Sequence, residues 1–71
     1  MNREVLLERL AAMEAHIARA EHMIQKQKAI VSWLERSGRN ASQARQLLAR
    51  LEEYKSSQVA LRGQILSKFT R

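Results

Sequence analysis

Two histidines, one pair of adjacent glutamates and a scatter of serines are the residues of this chain that could do chemistry. His16 and His22 are the natural candidates for metal ligation or proton transfer. Six residues turn them about 240° apart on a helix, so they cannot reach one ion. The second half of the chain has no His, Cys or Asp to complete a site. Glu52 and Glu53 are neighbours and point to different sides of a helix, with no second acidic pair to share a proton or a cation. Ser32, Ser37, Ser42, Ser56, Ser57 and Ser67 have no base placed to activate them. The sequence holds no glycine-rich phosphate loop, nucleotide fingerprint or metal-binding spacing. A protein with no catalytic residue, no cofactor and no metal is expected, and an enzyme is not.

The elements that carry these residues are legible from the spacing of core-type positions. Steps of three and four run through Leu6, Leu10, Met13, Ile17, Ala20, Ile24, Gln27, Val31 and Leu34. After a break around Ser37-Gly38-Arg39-Asn40 they resume through Ala44, Leu47, Leu51, Tyr54, Gln58, Leu61, Ile65 and Lys68. Such spacing keeps one helical stripe against a partner, as in a coiled coil. Asn2 is a good cap for a first helix, with Glu4 near its positive end. Gly38 can take the left-handed conformation that closes that helix, and Arg36 suits its last turn. Asn40 is placed to cap a second helix, and Gln43 to complete a capping box. The reading is all-α: a single antiparallel two-helix hairpin, with a helix over about 2–37, a turn at 38–40 and a helix over about 41–68.

Register follows from pairing positions whose numbers add to about 78. Val31 then meets Leu47, Ile24 meets Tyr54, Ile17 meets Leu61 and Met13 meets Ile65. One flank brings Glu21 beside Lys55, Glu14 beside Arg62 and Leu7 beside Phe69. Gln27 and Gln58 are polar members of the seam, which cost stability but penalise wrong registers.

With 71 residues, no Cys and no Pro, the chain has room for one small helical domain that disulfides cannot staple. No apolar run approaches the ~20 residues needed to span a bilayer. Arg3, Glu4 and Glu8 at the start fit no signal or transit peptide, so a cytoplasmic protein is expected. Oligomerisation is the remaining route to stability. Val5, Ala12, His16, Met23, Ile30 and Trp33 form an apolar flank of the first helix that the intramolecular seam does not use. The simplest partner for it is a second copy, giving a homodimeric four-helix bundle; the other is another protein's helix. Trp33 is the natural anchor of such a contact. The outward face of the second helix (Ser42, Ala49, Ser56, Ala60, Gly63, Ser67) is small and nearly uncharged.

The net charge of +6 is concentrated in the second half, where seven Lys/Arg stand against two Glu. A basic helical bundle can bind RNA or DNA, and Arg39, Arg45, Arg50, Lys68 and Arg71 are the candidate contacts. The small-residue strip interrupts them, and no aromatic is interleaved for base stacking. Nucleic acid is therefore the second reading, behind self-association and protein–protein interaction of the scaffold or adaptor type. Membrane binding is not expected, because the apolar stripes are claimed by helix packing.

The residues His16-Ile17, Glu21, Ile24, Gln27, Ile30-Val31, Leu34-Glu35 and Gly38, then Ala44, Leu47-Leu48, Glu52, Val59-Ala60 and Arg62, carry a resemblance. Over roughly residues 14–66 the chain resembles a group of short proteobacterial proteins that have two predicted helices around a Gly-containing turn. The resemblance implies a small bacterial helical hairpin of a kind with no assigned activity. Members tend to have an acidic residue and Thr where this chain has Asn40-Ala41, and often His where it has Gln58. Asn still caps and Gln is still a polar seam residue, so both replacements keep the physical role.

Overall fold

The structure, a computed structural model, describes residues 2–70. It is built from two helices, α1 (Arg3–Arg36) and α2 (Ser42–Phe69), packed against each other along their length. Helix α1 begins where Asn2 Oδ1 accepts a hydrogen bond from Val5 N–H at 2.8 Å, so one of the unpaired N–H groups of the first turn is satisfied. It ends in a closed C-terminal motif. Gly38 N–H donates to Glu35 O, Arg39 N–H donates to Leu34 O, and Gly38 takes φ +70°. A side chain at Gly38 would meet no neighbour, so glycine is required there by the backbone and not by space.

The start of α2 differs from the expected capping box. Asn40 Oδ1 accepts from Ser42 N–H at 2.9 Å, while Ala41 occupies the cap position and its carbonyl accepts the first helical bond from Arg45. Among the described residues no hydrogen bond returns from Gln43 to Asn40. The cause is burial: Ala41 is tucked against the end of the core at 3% exposure, and this draws the cap one residue inward. At the far end α2 continues through Phe69, which is half-buried with the Arg3 guanidinium 5.9 Å above its ring.

Register is set by polar contacts on one flank. Lys55 reaches Glu21 at 3.4 Å and Arg62 reaches Glu14 at 3.2 Å, as the sequence predicts. A third pair, Arg45 with Glu35, closes the turn end. All three have their charged ends at the surface and are worth about 0.2–1 kcal/mol each, enough to choose a register and too little to hold a fold. Gln27 Nε2 donates to Ala44 O at 3.0 Å, a bond from within the seam that ties α1 to the start of α2.

On α1 the buried and half-buried residues are those of the expected stripe, from Leu6 through Ala20 to Leu34, together with Val5 from the flank expected to lie outside the seam. On α2 the stripe is rotated. Ala44, Leu51, Gln58 and Ile65 face α1 as expected, but the alternate places go to Leu48, Lys55, Arg62 and Phe69. Leu47, Tyr54 and Leu61, expected in the seam, are 48%, 46% and 41% exposed. Lys55 and Arg62 explain the rotation: their aliphatic stems lie along the seam and their charged ends emerge at Glu21 and Glu14. The result is a rod of 54 × 14 × 14 Å with a radius of gyration of 16.3 Å, against about 11 Å for a compact chain of this length.

Candidate interaction face

The two sides of the rod are chemically different. One side carries the Glu21–Lys55 and Glu14–Arg62 pairs and a groove in which Gln25, Lys28, Glu52 and Ser56 surround Ile24 and Val59. Both signs of charge meet there. On the opposite side two open grooves run end to end between the helices. His16, Arg19, Ala20, Met23, Leu51 and Tyr54 line the first. Met23, Lys26, Gln27, Ile30, Leu47 and Leu51 line the second. Their walls are apolar, and the charges at their edges are positive. Helical spacing puts Arg9, Arg50 and Lys68 on the same side.

Helix α1 supplies to this face the residues that sequence reasoning singled out. Val5 is half-buried, Ala12 and His16 are exposed, and Met23 and Ile30 stand 46% and 47% exposed over the grooves. Trp33 is a departure from that set. It lies beyond the grooves at the turn end, with the Arg39 guanidinium 5.0 Å from its ring and its own carbonyl accepting from Ser37 Oγ. The half of the face that sequence reasoning missed is on α2: Leu47, Tyr54 and Leu61. Their signal was present in the sequence as a second stripe in phase with Ala44, Leu51 and Gln58. Opposite charges across the hairpin, Lys55 with Glu21 and Arg62 with Glu14, were the clue to which stripe faces inward.

Among the described residues, the basic side chains considered for nucleic acid are not assembled into one patch. Arg39 covers Trp33 and Arg45 is held by Glu35. Arg50 and Lys68 are exposed, and Arg71 lies outside the described residues. His16 and His22 are both exposed, and among the described residues no three His, Cys, Asp or Glu side chains cluster as a metal site. No described helix is long and apolar enough to cross a membrane. No family model, curated protein or solved structure matches this chain.

Proposed function

We propose that this chain works by association rather than by catalysis, as a scaffold-type hairpin that pairs with a second copy into a four-helix bundle. The observation that carries this reading is the apolar face built by both helices, Met23 and Ile30 from α1 with Leu47, Tyr54 and Leu61 from α2. Five large apolar side chains on one side of the rod, each 41–48% exposed, are what an interaction surface presents. Total surface points the same way. A compact monomer of 8.2 kDa would expose about 4,500 Å². This hairpin exposes 5499 Å². The excess of roughly 1,000 Å² is close to the ~800 Å² that each partner contributes to a standard interface.

Sedimentation equilibrium over a wide concentration range tests this directly. A mass near twice 8.2 kDa supports self-association. A folded monomer at all concentrations refutes it and leaves the face to a heterologous helix.

A further inference from the structure

The apolar face has an internal order that selects one of the two ways a pair of hairpins can form a closed bundle. The register places Ile30 level with Leu47, Met23 with Tyr54, His16 with Leu61, and Arg9 with Lys68. Seven residues separate successive levels, or about 10 Å along the rod. From the turn outward the face therefore reads apolar, apolar, mixed, cationic. The Met23–Tyr54 level sits close to the middle of the rod, since α1 runs from Arg3 to Arg36.

Two-fold symmetry allows two arrangements. If the axis runs along the rod, each level meets its own copy. Arg9, Lys68 and their symmetry mates then share one cross-section with no carboxylate on that side among the described residues, and both His16 rings share the next. If the axis crosses the rod, the chains run in opposite directions and α1 lies over the partner's α1. The Met23–Tyr54 level then meets itself, and Ile30 and Leu47 of each copy meet the partner's His16 and Leu61. Arg9 and Lys68 fall against the end of the partner's turn, where Arg39 lies over Trp33 and α1 finishes with the negative end of its dipole. With Arg39 counted, three cations then share each end of the bundle, instead of four stacked at one end. Arg9 and Lys68 are exposed, yet four like charges within about 10 Å repel one another more than three set against a helix's negative end. Resting on the self-association reading, we infer that the dimer axis crosses the rod at Met23 and Tyr54, with the first helices antiparallel and adjacent.

The chain has no cysteine, so single thiols report the arrangement without background. Met23→Cys should convert almost wholly to a covalent dimer under mild oxidation, because the residue faces its own copy across the axis and disulfides need Cα atoms within about 7 Å. Ile30→Cys and His16→Cys should each stay mainly unlinked alone and join when mixed. A lengthwise axis gives the reverse: Met23→Cys alone stays unlinked and joins only when mixed with Tyr54→Cys. That result, or no linkage in any combination from variants that sediment as dimers, overturns the crosswise axis and leaves self-association standing. Variants that sediment as monomers together with a monomeric parent refute self-association itself.

Discussion

Replacing Gln58 with Leu should stabilise the hairpin, and the reason lies in one oxygen. Gln58 is half-buried in the seam, level with Ala20, and its Oε1 is buried with no hydrogen-bonding partner. A desolvated, unpaired carbonyl oxygen costs about 1–3 kcal/mol. Leu has a similar volume and no polar atom, so the substitution removes that cost and adds apolar contact. We expect a gain of about 1–2 kcal/mol, which for a domain of this size raises Tm by roughly 5–15 °C. Gln27 is the internal control. It is 8% exposed, yet its amide is satisfied by Ala44 O, so Gln27→Leu exchanges a made hydrogen bond for apolar contact. Its gain should be smaller by about 1 kcal/mol. Urea denaturation of the parent and both variants at one fixed protein concentration measures the comparison, since self-association makes apparent stability concentration-dependent. Equal shifts from the two substitutions, or no gain from Gln58→Leu, would refute the assignment of strain to that oxygen.

Three further outcomes follow from the same structure. Ile30→Lys puts a charge on a half-exposed site, so circular dichroism should show the helices intact while the dimer Kd rises about 100-fold or more, because two Ile side chains lose their burial per dimer. Raising NaCl from 0.05 to 1 M should tighten the proposed dimer, since Arg19 and Lys26 at the groove edges are positive and salt screens their repulsion; contact with nucleic acid would weaken over the same range. Gly63→Ala should raise Tm by about 3–8 °C, because a methyl group there meets nothing within 4 Å and alanine is favoured over glycine inside a helix by about 1 kcal/mol.

The first helix was legible in the sequence because its apolar stripe is single: between Leu6 and Leu34 the three-four rhythm has no competing phase that is equally apolar. The second helix offers two. Leu47, Tyr54 and Leu61 outscore Leu48, Lys55 and Arg62 on hydrophobicity alone, so a reading by periodicity chooses them for the seam. The structure reverses the choice because a long cation can bury its stem and still reach a carboxylate. The two ion pairs were themselves found from the sequence, and applied consistently they would have rotated the stripe. The cap at Ala41 was hidden for a different reason. Nothing in the local sequence marks an alanine as the residue that closes the core when Asn40 stands beside it.

That rotation ties the fold to the proposed function. Were Leu47, Tyr54 and Leu61 turned inward, α2 would be the buried half of a self-sufficient hairpin. As it stands, α2 has no residue buried to the depth of Ile17 or Ala20, and Leu47, Tyr54 and Leu61 stand half in water. Burying an apolar side chain of this size completely contributes about 1.5–3 kcal/mol, and each of these three has realised only part of it. A chain of 71 residues has few other sources of stability, with no disulfide available. A partner on this face would therefore supply stability as well as binding, and under the proposed assembly α2 is the element whose protection against hydrogen exchange should rise most.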